Sequence, residues 1–178
     1  METKQTGAAR RAGVWVGVLL LGGFLAAACD EGLEPPPVGP AVFPGRISGT
    51  VRFVNWDSAG AVVDLRLVAF RNFPPRDIVG EVLQGNAAIY PPLGGSQLAT
   101  PGTDSVTYTF SLTPGTYQYV AVAQQFGPDV MSNWRAVGQY DLDSNLAVPS
   151  AVTVTERETV TGIDITVDFD NLPPPPAR

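Results

Sequence analysis

The stretch VTYTFSLTPGTYQYVAVA, from Val106 to Ala123, carries the strongest strand signal in the chain. Its first half alternates apolar residues with threonine and serine, a period of two that is typical of a half-buried strand. Its second half is apolar on both faces, which is typical of a strand at the centre of a sheet. Thr113, Pro114 and Gly115 break the run, because proline presets a turn dihedral and glycine tolerates positive φ. We predict a central hairpin in an all-β fold.

Composition agrees with many short strands and argues against an enzyme. The 178 residues include 19 Gly and 17 Pro, 44% are hydrophobic, and no long segment has a helical period. Histidine is absent and Cys29 is the only cysteine, which removes an imidazole base, most zinc chemistry and any intramolecular disulfide. A serine nucleophile would also lack a lysine partner after Cys29. We expect no catalytic residue and no cofactor.

The charge balance argues against a nucleic-acid partner. After Cys29, eight arginines and no lysine stand against 16 acidic residues, which gives a net charge of −8. An acidic surface is repelled by a phosphate backbone.

The first 28 residues are typical of a secretory signal. Lys4, Arg10 and Arg11 form a positive start, and an uncharged run of 17 residues, 12–28, follows. The end of that run, Leu25-Ala26-Ala27-Ala28-Cys29, resembles the lipobox of bacterial lipoproteins, although their leucine stands one place nearer the cysteine. The resemblance implies that Cys29 is acylated and holds the protein in a membrane of the cell envelope, at the periplasmic face or in the outer membrane.

Two other interpretations of this segment stay open. Ala26-Ala27-Ala28 also fits an ordinary cleavage site that would release a soluble protein with a free Cys29. The segment could instead remain as a membrane helix, although 17 residues is the short limit for spanning a bilayer.

Two proline-rich segments flank the predicted domain. Residues 29–45 are rich in Pro and Gly and predict a semi-rigid tether, and residues 171–178 predict a disordered or polyproline tail. The domain itself therefore spans 46–170.

Turn signals divide that domain into about seven short strands. Pro74 and Pro75 predict the start of a short helix in a long crossing loop, which Gly85 closes. The first two strands are expected to form a hairpin. The predicted strands outside the central hairpin are 46–54, 61–70, 87–90, 134–140, 152–155 and 160–169. This number and spacing predict a Greek-key β-sandwich.

Three short motifs resemble the carboxypeptidase regulatory-like, or transthyretin-like, sandwich domains. They are 47–51 (ISGTV), 112–117 (LTPGTY) and 161–165 (TGIDI). The match covers most of 46–169, and the insertion 71–104 departs from the minimal domain. The resemblance implies no catalytic residues and a role in adhesion, envelope assembly or glycan contact. The LTPGTY motif is also similar to a tyrosine corner, in which a Tyr hydroxyl bonds to the backbone.

Asp141, Asp143 and Asn145 have the oxygen spacing that begins a calcium loop. The motif then fails, because Leu146 stands where glycine is needed and Val152 stands where a closing glutamate is needed. We interpret the segment as a polar turn, with calcium as the weaker alternative.

Aromatic residues offer the better binding candidates. Trp56 and Trp134 lie in or beside loops, and Arg135 follows Trp134, so a ring face and a guanidinium are available to a sugar or a partner side chain. Because a β-sandwich commonly buries one tryptophan, we expect Trp134 in the core and Trp56 on the surface.

The acidic residues of the last strand support the rival hypothesis of an enzyme. Asp164, Asp168 and Asp170 could act as the acid and base of a carboxylate-dependent glycosidase. We expect instead a solvated outer face, because the sequence places no apolar residues around these aspartates on that side of the strand. The sequence thus predicts a lipid-anchored envelope sandwich that acts as a binding or structural module, contacting a glycan or a partner protein.

Overall fold

The computed structural model describes residues 41–143 and 145–175. The predicted signal segment, Cys29 and most of the tether lie outside these residues. In the part of the chain that is described, no helix has the length and apolar character needed to cross a bilayer. Val42–Arg178 forms one unit, which holds the predicted domain.

Strands dominate the described residues, with one α-helix and one 3-10 turn, Trp56–Ser58. The helix α1 spans Ile78–Leu83. The strands are β1 Gly45–Val54, β2 Asp64–Phe70, β3 Ala87–Tyr90, β4 Ser105–Leu112, β5 Gly115–Tyr117, β6 Tyr119–Gln125, β7 Trp134–Gln139, β8 Val152–Val154, β9 Thr159–Val160 and β10 Ile165–Asp168.

These strands form two four-stranded sheets and a small ribbon. The first sheet has the order β10-β1-β4, and β9 also pairs with β1. The second sheet has the order β3-β2-β6-β7, and β5 pairs with β8 in the ribbon. The all-β sandwich is therefore confirmed, and its Greek-key connectivity stays a prediction.

The core lies between the two sheets because strands of both bury alternate residues there. Ile47 and Val51 of β1 face Leu65 and Leu67 of β2 across this core, and all four side chains are fully buried. In β6, Val120 and Val122 join the same core, whereas Tyr119, Ala121 and Ala123 form a second cluster on the outer side. The prediction that this strand is apolar on both faces is confirmed.

Neither predicted hairpin forms. β4 and β6 belong to different sheets, as do β1 and β2, so each connection crosses from one layer to the other. The alternation of β4 gives it one exposed face, which suits the first sheet, whereas β6 is buried throughout and sits inside the second sheet. Instead, β1 pairs with β4 in the antiparallel orientation and with β10 in the parallel orientation.

The crossing from β4 to β6 is fixed by a tyrosine corner. The hydroxyl of Tyr117 donates to the carbonyl oxygen of Thr113 at 2.9 Å, as the LTPGTY motif suggests. The Arg71 guanidinium lies 4.9 Å from the centre of the Tyr117 ring and donates to its hydroxyl at 3.4 Å. Burial raises the pKa of Tyr117, and the positive charge of Arg71 opposes that shift.

The long insertion contains the predicted helix and the predicted strand 87–90, but the helix begins at Ile78 and not at Pro74 and Pro75. Asp77 caps α1 by accepting from the backbone N–H of Gly80, and Gly85 follows the helix with φ of 75°. Buried Glu81 accepts from the backbone N–H of Arg76 at 3.3 Å.

A buried arginine holds the rest of the insertion. Arg66 of β2 is 4% exposed, and its Nε donates to Asp64 Oδ2 at 2.8 Å. Its two terminal nitrogens donate to four backbone carbonyls of the loop at 3.0–3.1 Å: those of Pro91, Pro92, Gly95 and Ser96. One side chain thus organises a loop that has no regular secondary structure.

The end of the domain differs from the prediction of a single strand over 160–169. Two short strands, β9 and β10, run parallel to β1, and Gly162 separates them with φ of 78°. The predicted inward residues are all buried: Ile163, Ile165, Val167 and Phe169.

Both proline-rich flanks make contacts with the domain where they are described. Gly45 already belongs to β1, so the tether ends one residue earlier than predicted, and the Phe43 ring lies 3.7 Å from the Arg157 guanidinium. In the tail, Leu172 packs against the core and Pro173 is buried, so this part is ordered against the domain. Residues 176–178 lie outside the described residues.

Candidate functional site

The outer face of the second sheet is apolar, which is unusual for a face that could meet solvent. Small side chains make up its centre: Ala121 and Ala123 of β6 and Ala136 of β7. The helix α1 contacts β3 at one side of this face and leaves the region over β6 and β7 open.

That open region is a groove of about 740 Å³. One wall is the segment that begins α1, 75–78, and a second is the loop at Met131 and Ser132. The described end of the tail, 172–175, lines the groove as well. The groove thus has an alanine floor with walls from three separate parts of the chain.

Aromatic rings border the floor. Tyr119 stacks on Phe70 with ring centres 5.5 Å apart, and the edge of Phe73 packs against it at 5.2 Å. Trp134 is half-buried at the other side, where its Nε1 donates to the carbonyl oxygen of Val130 at 2.8 Å. Ring faces of this kind favour flat or extended apolar ligands.

Tyr119 also brings a polar group to the groove. The residue is 2% exposed, and its hydroxyl makes no hydrogen bond to any residue that the structure describes. Burial alone raises its pKa, so the phenol is neutral and able to donate. Among the described residues, the one fully enclosed side-chain polar atom without a partner is Gln97 Oε1, so the Tyr119 hydroxyl keeps an opening to the groove, where it can donate to a ligand carbonyl.

The other polar side chains of the lining have partners. Ser132 donates its hydroxyl to Asp129 Oδ2 at 2.6 Å, and this bond, together with the N–H of Met131, lowers the pKa of Asp129. Asp77 is occupied as the cap of α1 and is the only carboxylate among the described residues that line the groove. Paired acids of the kind that glycosidases use are therefore absent from this lining.

Both tryptophans are half-buried, and each packs against one of the two core clusters. Trp56 packs against the main core between Phe53 and Phe169, with ring centres 5.1 and 4.8 Å away, and its Nε1 donates to the Thr103 carbonyl at 2.8 Å. Trp134 packs against the second cluster and also lines the groove. Phe169, which packs against the Trp56 ring, comes from the far end of the domain. The residues around Trp56 in the sequence therefore could not reveal this contact.

Arg135 does not present its guanidinium beside Trp134. Consecutive residues of a strand point to opposite faces, and Arg135 Nε donates to Gln124 Oε1 at 2.9 Å on the inner side of the sheet. Its terminal nitrogen also donates to the Ala59 carbonyl at 3.2 Å. The guanidinium also lies 5.7 Å from the centre of the Phe126 ring, and Arg135 is among the residues that line the groove. A ligand contact by Arg135 stays a prediction.

Asp141, Asp143 and Asn145 form the polar turn. Asp143 Oδ1 accepts from the N–H of Asn145 at 2.7 Å, and Asn145 Oδ1 accepts from the N–H of Ala147 at 3.2 Å. Asp141 accepts from the Ser150 hydroxyl at 3.1 Å. Among the described residues, no group of three acidic, His or Cys side chains is placed to hold a metal ion.

The three aspartates predicted on the last strand connect the end of the domain to β1 and to the turn that follows it. Asp164 accepts from the backbone N–H of Thr50 at 2.7 Å, and Asp168 accepts from the side chain of Asn55 at 2.7 Å. Asp170 accepts from the hydroxyl of Ser58. Asp164 and Asp170 are exposed, as expected of a solvated face.

Sequence reasoning missed the groove itself. The available signal was the apolar outer face of β6, which indicated cover on both sides of the strand. Comparisons with known protein families, with curated proteins and with solved structures found no match to this chain.

Proposed function

We propose that this protein is a lipid-anchored binding module of the bacterial cell envelope, and that the groove over β6 and β7 is its binding site. The observation that carries the binding role is the groove itself, an alanine floor bordered by Tyr119 and Trp134. Concave, mostly apolar sites with a few polar groups are where proteins usually bind ligands. The anchor rests on the resemblance of residues 25–29 to a lipobox.

A binding role fits the groove better than a catalytic one. Its lining offers the ring of Trp134 and the Tyr119 hydroxyl, and its single carboxylate is engaged with the backbone of α1. The ligand would be an envelope component, a partner protein or a glycan, held without chemical change.

Filling the groove should abolish binding. In Ala136→Trp the indole would occupy the space above the alanine floor. We expect binding to envelope fractions of the source bacterium to fall at least about ten-fold, because a loss of roughly 1.4 kcal/mol in binding free energy lowers affinity by that factor. Co-sedimentation of the purified full chain with these fractions measures this. Ala136 is only partly buried, so the variant is expected to fold, and a melting curve checks that.

The matched control is Thr107→Trp, which places the same side chain on the exposed face of β4. It should bind as the unchanged chain does. Equal binding by both variants, or no binding by the unchanged chain, would contradict the proposed site.

The anchor is tested separately by mass spectrometry of the protein extracted from membranes. We expect a mature polypeptide that begins at Cys29 and carries more than one acyl group. A single acyl chain gives only marginal membrane binding, so stable anchoring needs several. A Cys29→Ser variant should lose both the acyl mass and the membrane association. An unmodified Cys29, or a membrane-extracted chain that still begins at Met1, would overturn the anchor and leave the groove untouched.

A further inference from the structure

We infer that the ligand of the groove is an extended, proline-rich segment of a partner protein. This inference rests on the proposed binding role of the groove and names the chemistry that would fit it.

The first argument is the chain's own tail. Residues 172–175, Leu-Pro-Pro-Pro, already line the groove, and Pro173 is buried there. The same surface thus accommodates proline rings in the protein itself. A second proline-rich strand lying beside this tail would contact the half-buried ring of Trp134, an aromatic surface of the kind that lines polyproline-binding grooves. It would meet Tyr119 at its hydroxyl end, because Phe70 and Phe73 pack against the Tyr119 ring.

The second argument is hydrogen bonding. The free polar group of the described lining is the Tyr119 hydroxyl, which can donate a proton. Polyproline offers backbone carbonyl acceptors and no N–H groups, so burying it leaves no donor without a partner. A glycan would instead bring many hydroxyls against the alanine floor of Ala121, Ala123 and Ala136, where they would lose their hydrogen bonds to water.

The test uses the full processed chain in detergent micelles and a fluorescein-labelled decaproline peptide, with fluorescence anisotropy as the readout. We expect saturable binding of decaproline and no comparable binding of a glycine-serine peptide of the same length. Tyr119→Phe should weaken the binding about five-fold, the effect of one lost hydrogen bond. Ala136→Trp should remove it.

Tyr119→Phe also separates binding from folding. Because the hydroxyl has no described partner, its removal should not lower the melting temperature. The matched control is Tyr90→Phe, which deletes a hydroxyl on the inner side of the second sheet, where the ring packs against Phe110, and should leave peptide affinity unchanged.

Three results would overturn the inference. They are failure of the unchanged chain to bind decaproline, equal binding of the glycine-serine peptide, and binding that neither groove variant alters. The groove variants could instead lose binding to peptidoglycan fragments, or lose dimerisation, while the unchanged chain does not bind decaproline. Either result would overturn the proline-rich ligand and leave the proposed binding role in place. If every groove variant bound the envelope fractions as well as the unchanged chain does, the binding role itself would be overturned.

Discussion

An Arg66→Met variant is expected to lose about 3–5 kcal/mol of unfolding free energy, the usual effect of removing one partner of a buried ion pair. Methionine keeps an apolar stem of similar length, so the packing of β2 should survive. The loss arises because Asp64 would be left with its carboxylate 17% exposed and without its cation. The four loop carbonyls bound by Arg66 would lose their donor at the same time.

Urea denaturation followed by circular dichroism measures this loss as a lower midpoint at unchanged slope. Because small domains are stable by only about 5–15 kcal/mol, the variant is expected to lie near the edge of folding. The control is Arg52→Met, whose side chain is exposed on β1 and which should change stability by less than about 0.5 kcal/mol. An Arg66→Met variant as stable as this control would show that the loop does not depend on the arginine.

Gly49→Ala is expected to cost about 3 kcal/mol, a large effect for one methyl group. A Cβ at position 49 would lie 2.1 Å from the carbonyl oxygen of Ile163, which is backbone and cannot rotate away. That oxygen also accepts from the buried hydroxyl of Tyr108 at 2.6 Å, so moving it would break a second contact. Glycine is required here by the close approach of another backbone segment.

Thermal unfolding of Gly49→Ala beside Ser48→Ala tests this explanation. Ser48 is the preceding residue of β1, its side chain makes no hydrogen bond among the described residues, and its carbonyl keeps the bond from the N–H of Ile163 at 3.1 Å. The serine variant should stay within about 0.5 kcal/mol of the unchanged chain. Similar melting temperatures for the two variants would refute the role given to the contact with Ile163.

Local signals in the sequence were enough to locate most strands and the helix. Gly85 marked the end of α1, although the helix begins at Ile78 and not at the prolines, and the strand 87–90 was predicted at its observed bounds because turn residues flank it on both sides. The bond of the tyrosine corner followed from a motif of six residues. Such features depend on neighbours in the chain, which a sequence displays directly.

Pairing and orientation depended on distant residues and were predicted less well. Both expected hairpins were wrong, since β1 pairs with strands whose positions lie more than fifty residues away. The place of Trp56 is set by Phe169 in the same way. The direction of Arg135, in contrast, follows from simple alternation with Trp134, and this signal was available in the sequence.

The parallel pairing of β1 with β10 has a consequence for biosynthesis. Arg52 stands beside Thr166, so the central strand of the first sheet gains its second neighbour only after nearly the whole domain has been synthesised. Contacts of such long sequence separation slow folding. The first sheet can therefore be completed only after the end of the domain has been synthesised, so we expect the domain to fold after its synthesis and not strand by strand during it.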